Sequence, residues 1–268
     1  MNADIPGTPT WIQIITGLPG RPGTPDGSFP FMAKFAIDPM NTSRLIIGTM
    51  SQVYETRTKG DPSAPGANDG WKFISPALDD FGVTALAYAP NHDNTIYVGF
   101  ADGQIYRTDN DGGDTTAGNW ALVATGVNAP VTALAVDPAN RLLVYSAFGS
   151  GIGSGLASST QGFNTQRVLK SNNGGANWAA FNGGLPNVPV NALQLSANGA
   201  TLYAGADVGV YSTATNNAAW ARYGNGLPYV QVLDLQLQTY GATTWLAAAT
   251  HGRGAWIIDP PGSSEQAA

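Results

Sequence analysis

Five times along this chain the same order of segments returns: a short apolar strand, a second ending in small residues, a third ending in a fixed register, then the opening of a fourth. The third strands align as Gln52–Thr56, Gln104–Thr108, Arg167–Ser171, Gly209–Thr213 and Gly254–Ile258, and each carries one apolar side chain at the same place. Tryptophans open the fourth strands at Trp71, Trp120, Trp178 and Trp220, while the fifth unit reaches Pro260 without one. Self-similarity at a period of roughly forty to sixty residues restricts a chain to stacked units, because no single unit can bury its own apolar face.

The absent tryptophan stands at the other end of the chain. Trp11-Ile12-Gln13-Ile14-Ile15-Thr16-Gly17-Leu18-Pro19 has the form of Trp178 to Pro186 and Trp220 to Pro228, both of which end in Gly-Leu-Pro. It therefore reads as a displaced fourth strand. An array that begins with the last strand of its final unit makes sense as a ring: Trp11–Ile15 pairs with the third strand near Ala255 to Ile258, and two exposed sheet edges vanish. The expected fold is all-β, a single β-propeller of five four-stranded blades over residues 1–260, with 261–268 a flexible tail.

Strand pattern supports the blades. Innermost strands are expected at Ala33–Ile37, Val83–Tyr88, Val131–Val136, Val190–Leu195 and Val232–Leu237, with Phe35, Leu86, Leu134, Leu193 and Leu235 at equivalent sites. Asp38-Pro39, Ala89-Pro90 and Asp137-Pro138 end them, since proline cannot continue a ladder and Asp accepts hydrogen bonds from a turn backbone. Second strands follow, and Gly48, Gly99, Gly205 and Ala248 are the small residues near their ends.

Composition bounds the function. The 268 residues include 34 Gly and 18 Pro, which suits many turns and few helices, while 7 Trp and 10 Tyr supply bulk for faces between blades. A net charge of −6 offers no basic field for a phosphate backbone, so nucleic acid is excluded as a partner. No apolar run approaches the roughly 20 residues that span a bilayer, so no membrane insertion is expected. With no cysteine, disulfides and thiolate chemistry contribute nothing. Only 11% of residues are charged, and polar uncharged residues take their place, a composition common in secreted proteins. Met1-Asn2-Ala3-Asp4 lacks the form of a signal peptide, and the Pro260–Ala268 tail reads as the start of a linker. The expectation is a secreted, periplasmic or cell-surface piece of a longer chain or assembly, its leader removed.

The turn between third and fourth strands carries the most specific motif. Ser171-Asn172-Asn173-Gly174-Gly175-Ala176-Asn177-Trp178 puts a short polar side chain over the hairpin, glycine at positive φ and tryptophan beneath. Weaker copies run from Thr108 to Trp120 and from Ser212 to Trp220, and the first unit keeps Thr56, Asp69-Gly70 and Trp71. From Trp11 to Pro260 the chain resembles the Asp-box, or BNR-repeat, propellers, a group that includes sialidases, xyloglucanase-type glycoside hydrolases and sortilin-type receptors. Thr250-His251-Gly252-Arg253-Gly254 is similar to a strand of xyloglucanase-like repeats. The resemblance implies that Ser171, Asn173, Gly175, Trp178, Trp71, Trp120, Trp220 and Trp11 fold the blades, on the face away from any substrate. Asp109, Asp111 and Asp114 could also form a calcium loop, but the later bidentate Glu is missing and no cofactor is expected.

On the other face the blade connections converge with the loops between second and third strands. There the sequence places Asp79, Asp80, Phe81, Asp102, Asp207, Tyr229, His251 and Arg253, together with an insertion from Gly149 to Gln166 too long for a hairpin. Asp79, Asp80, Asp102 and Asp207 are the residues from which a glycosidase acid–base pair would be drawn, at the separation of about 5–10 Å such chemistry needs. Asp102-Gly103 and Asp207 occupy hairpin turns, and Asp79-Asp80 a blade connection, where backbone capping is the simpler role. The sialidase pattern is not met: there is no Arg-Ile-Pro, and the only glutamates are Glu55, on a strand, and Glu265, in the tail. Xyloglucanase-type enzymes bind glucan between two larger propellers, of which one ring would be half. The sequence thus favours a non-catalytic binding or scaffold module for a glycan or protein at Tyr229, His251, Arg253, Asp79, Asp80 and Phe81. The alternatives are a glycoside hydrolase, or a fragment of one, and a structural repeat in a surface assembly.

Overall fold

The computed structural model describes residues 14, 17–18, 29–60, 70–112, 119–149, 166–240 and 243–258. These fold into five antiparallel sheets, and no α-helix occurs among them. The first sheet runs β1 (Phe35–Ile37), β2 (Leu45–Gly48), β3 (Val53–Thr56) and β4 (Lys72–Phe73). The second runs β5 (Val83–Ala89), β6 (His92–Phe100), β7 (Ile105–Thr108) and β8 (Ala121–Leu122). The third consists of β9 (Val131–Val136), β10 (Val144–Phe148), β11 (Val168–Ser171) and β12 (Ala179–Ala180). The fourth consists of β13 (Val190–Leu195), β14 (Thr201–Ala206), β15 (Gly209–Ala214) and β16 (Ala221–Arg222). The fifth has β17 (Val232–Tyr240), β18 (Thr243–Thr250) and β19 (Gly254–Ile258), three strands among the described residues. Each sheet is an up-and-down meander, the form of a propeller blade.

The apolar core lies between blades. Four clusters of buried side chains fill the four successive interfaces, from Ile46, Val53, Ile74, Val83 and Val98 between the first two blades to Val210, Val232 and Leu246 between the last two. The recurring small residues have a direct cause. A Cβ built on Gly48 would lie 2.3 Å from Val83, on Gly99 2.5 Å from Val131, and on Gly205 2.8 Å from Val232. At these three interfaces the valine opening the inner strand is a knob and the glycine of the preceding blade is its hole; in the third blade the equivalent position is Ala147. Register corrects one position: in the fifth sheet Ala249, not Ala248, pairs with Asp234 as Gly205 pairs with Ala192. Ala249 is exposed and meets no knob.

Tryptophans lock the blades at a second point. The indole N–H of Trp120 donates to the Ile74 carbonyl (2.9 Å), Trp178 to Val123 (3.1 Å) and Trp220 to Phe181 (2.7 Å). Each acceptor lies three residues beyond the tryptophan of the preceding blade. Trp71 obeys the same rule toward the N-terminus, donating to the Ile14 carbonyl at 2.8 Å. Ile14 thus occupies the place of a fourth-strand residue in a blade preceding the first. Trp11–Gln13 and Ile15 lie outside the described residues, as do 259–268. The first and fifth sheets share no core cluster among the described residues.

The hydroxyl ending each of the first four third strands caps the following turn. Thr56 Oγ1 accepts from Gly60 N (2.9 Å), Thr108 Oγ1 from Asn110 N (3.2 Å), Ser171 Oγ from Gly175 N (2.8 Å) and Thr213 Oγ1 from Ala219 N (3.0 Å). In the Ser171 turn Asn173 Oδ1 also accepts from Asn177 N at 2.9 Å, with Gly174 and Gly175 at φ 68° and 92°. On this side a buried Arg44 bridges Asp38 (3.3 Å), Glu55 and Asp111 and lies over the Tyr88 ring, a pin between the first two blades that the sequence does not announce. Arg107 and Lys170 reach the next blade likewise, donating to the Gly174 and Thr215 carbonyls at 2.7 Å each.

Candidate ligand-binding face

The blade connections and the loops between second and third strands gather at the end of the sheets opposite the capped turns. Two groups of side chains form there. In the first, Asp79 Oδ1 accepts from the backbone N–H of Asp80 (2.6 Å) and Phe81 (3.1 Å), the geometry of an Asx turn. Asp102 accepts from Gln104 N (3.0 Å) and Gln104 Nε2 (2.6 Å), and the Gln104 Oε1 accepts from Tyr106 Oη at 3.4 Å. Burial pushes the Asp79 carboxyl above its ordinary range; the two turn amides oppose that shift, and the nearby Asp102 charge adds to it. Phe81 is 43% exposed beside them.

The second group joins the fourth and fifth blades. Asp207 Oδ1 accepts from Asn191 Nδ2 and from Gln231 Nε2, both at 2.9 Å. Arg167, whose Nε donates to Asn187 Oδ1 at 3.1 Å, is lowered by desolvation and steadied by the Asp207 charge. Asp207 is therefore a hub for amides. His251 is exposed and its backbone N–H donates to the Gln231 carbonyl at 2.9 Å; Arg253 is exposed and its carbonyl accepts from Trp256 Nε1 at 3.0 Å.

Tyr229 has the most distinctive setting. Its ring is 80% exposed and lies over the Arg222 guanidinium, whose Cζ is 4.1 Å from the ring centroid. Arg222 in turn donates to three backbone carbonyls, Val208 (3.2 Å), Leu227 (2.6 Å) and Pro228 (3.3 Å). One face of the tyrosine is thereby fixed on a tethered cation, and the exposed remainder is a flat apolar surface with a hydroxyl at its tip.

The structure thus brings Asp79, Asp80, Phe81 and Asp102 together in one group and Asp207, Tyr229 and His251 in another. Residues 150–165 of the insertion lie outside the described residues. Sequence reasoning missed Arg222, Asn191 and Gln231. For Arg222 a signal existed: it follows Trp220 by two, where Phe73, Leu122 and Ala180 follow the other tryptophans. The carboxylates of the acidic loop are met by arginines, Asp109 by Arg107 (2.7 Å) and Arg141, and Asp111 by Arg44 and Arg57; Asp114 lies outside the described residues. No group of His, Asp and Glu suited to a metal ion is found among the described residues.

No family model matches the chain, and no curated protein matches it in sequence. Solved structures match in fold. An ancestral GH74 enzyme superposes with a TM-score of 0.60 at 19% identity, covering 84% of this chain and 30% of that one. The GH74 enzyme of Niastella koreensis gives 0.53 at 16% identity, over 84% and 38% of the two chains. The extracellular domain of a hybrid two-component system from B. thetaiotaomicron gives 0.56 at 15% identity, over 87% and 28%. The chain spans between about a quarter and two fifths of these structures, and the likeness is one of propeller fold.

Proposed function

We propose that this chain is a non-catalytic carbohydrate-binding propeller module of the Asp-box type, from a secreted or cell-surface protein, with its ligand on the face of Tyr229. The single observation carrying this reading is the exposed Tyr229 ring stacked on an arginine that three carbonyls hold in place. Sugar rings present weakly positive C–H edges, which suit the electron-rich face of an aromatic ring, and a ring already immobilised loses little entropy on binding. Gln231, which spends one amide hydrogen on Asp207, and the exposed His251 supply donors for hydroxyls. The fold likeness to GH74 enzymes and to a sensor's extracellular domain is in keeping with a glycan-related module.

A second reading, a glycoside hydrolase, is favoured by one observation: Asp79 is raised by burial and by Asp102, as a general acid beside a base would be. Both carboxylates cap their own turns, which argues for structure first. The test is a glycan array beside hydrolysis assays on plant and microbial polysaccharides, with the parent chain and Tyr229→Ala. Binding without turnover, lost in the variant, supports the module. Turnover abolished by Asp79→Asn or Asp102→Asn would replace it with the enzyme, and no glycan bound at all would leave the structural repeat.

A further inference from the structure

Two arginines on the loop face have opposite settings. Asn187 and Tyr229 hold the same place in successive blade connections, Gly184-Leu185-Pro186-Asn187 and Gly226-Leu227-Pro228-Tyr229, and each lies against an arginine. Arg222, beneath Tyr229, spends its fork on three backbone carbonyls. Arg167 donates Nε to Asn187 Oδ1 at 3.1 Å, and among the described residues no acceptor meets its two terminal nitrogens. Asp207 acts on it by charge alone, since Asp207 Oδ1 already accepts from Asn191 and Gln231.

This open fork belongs to a side chain that is only 5% exposed. A buried cation without a paired counter-charge is costly, because water is removed and nothing replaces it. Packing does not demand the charge. The equivalent position in the first two blades holds the neutral Gln52 and Gln104, whose Nε2 atoms donate within their own blades to the Ser75 carbonyl (3.4 Å) and to Asp102 (2.6 Å). Asn187 itself is exposed, so the guanidinium it touches stands just beneath the surface of the face.

We propose that Arg167 is the anion-recognising centre of a second subsite beside Tyr229, and that it takes a ligand carboxylate, as carried by a uronic-acid unit of an acidic oligosaccharide. The ligand class rests on the glycan-module reading given above. Two N–H groups at the open edge of a guanidinium match the two oxygens of a carboxylate in one plane. The nearby Asp207 charge and the net charge of −6 disfavour a doubly charged phosphate in the same place. Desolvation lowers Arg167, Asp207 offsets this in part, and a bound carboxylate supplies the counter-charge that is missing. Asp207 also joins the subsites: it accepts from Gln231, two residues beyond Tyr229, while its charge acts on Arg167. An oligosaccharide with one ring on Tyr229 can thus present the carboxylate of another unit to Arg167.

Calorimetric titration of the full chain at neutral pH with a galacturonic-acid oligosaccharide and with its methyl ester separates charge from ring, because the ester keeps every sugar ring and loses only the carboxylate. The parent is expected to bind the acid about tenfold or more tightly than the ester, with a preference that shrinks as salt is added. Arg167→Met is expected to bind both as the parent binds the ester, and to melt at or above the parent because a buried charge is relieved. Arg167→Lys keeps the charge without the fork and is expected to retain only part of the preference, which carries the test should the methionine variant fail to fold. Tyr229→Ala is expected to weaken acid and ester alike. Equal binding of acid and ester by the parent, or an acid preference undiminished in both Arg167 variants, would overturn the inference and leave the module reading standing. Neither saccharide bound by a parent that binds neutral glycans on an array would overturn it too, and no glycan bound of any kind would overturn both.

Discussion

At Tyr229 the decisive interaction is the one beneath its ring, where Arg222 lies 4.1 Å from the centroid. Arg222 matches three carbonyls with its planar fork, which a lysine cannot do. Arg222→Lys is therefore expected to lower Tm by a few degrees and to weaken ligand binding several-fold, because Tyr229 loses its backing; thermal melts and titration of the array-selected glycan check both. At Asp79 the expected signature is a pH dependence. Burial raises its carboxyl above 3.8, so the stability it contributes is complete below that value and falls away as pH rises through the raised one. Asp79→Asn keeps the acceptor for Asp80 and Phe81 but carries no charge. It is expected to melt with the parent near pH 3 and above the parent at about pH 7, and a lower Tm than the parent at neutral pH would contradict the assignment.

Strands and turns are where the sequence spoke most clearly. Tryptophan opens the fourth strands of the first four blades and small residues recur near the ends of second strands because successive blades meet through a valine packed on a small residue, at Gly48, Gly99 and Gly205, and through an indole hydrogen bond, at Trp120, Trp178 and Trp220. Gly99→Ala drives a Cβ against Val131 and is expected to cost about 1–3 kcal/mol, of which Val131→Ala in the same chain restores a part. Denaturant titrations of the two single variants and the double measure the coupling. The candidate site was legible only in part. Tyr229, Asp79 and His251 carry side chains that draw notice, but the groups that fix them are backbone carbonyls of Val208, Leu227 and Pro228 and turn amides, which have no residue-type signature. The Arg44 pin escaped for the same reason: its partners Asp38, Glu55 and Asp111 are far apart in sequence and meet only once two blades stack.

For the whole molecule, stability depends on stacking, so damage at one interface spreads to both adjoining blades. Trp220→Ala empties a seat between the third and fourth blades and is expected to cost about 3–5 kcal/mol, a Tm loss on the order of 10 °C for a chain of this size. Removal of residues 1–20 takes away Ile14, the partner of Trp71, and is expected to lower Tm or cause aggregation; a deletion variant that melted like the parent would count against a ring.

Capped turns and tryptophans hold the blades on one face, and the opposite face is the one proposed to bind. One calorimetric comparison tests it most directly, titrating the array-selected glycan into the parent, Tyr229→Ala and Trp178→Leu. For Tyr229→Ala at least a tenfold loss of affinity is expected with unchanged Tm, about 1.4 kcal/mol or more, and for Trp178→Leu a lowered Tm with affinity within a few-fold. Undiminished binding by Tyr229→Ala, together with binding abolished in a Trp178→Leu chain that melts like the parent, would put the ligand on the other face.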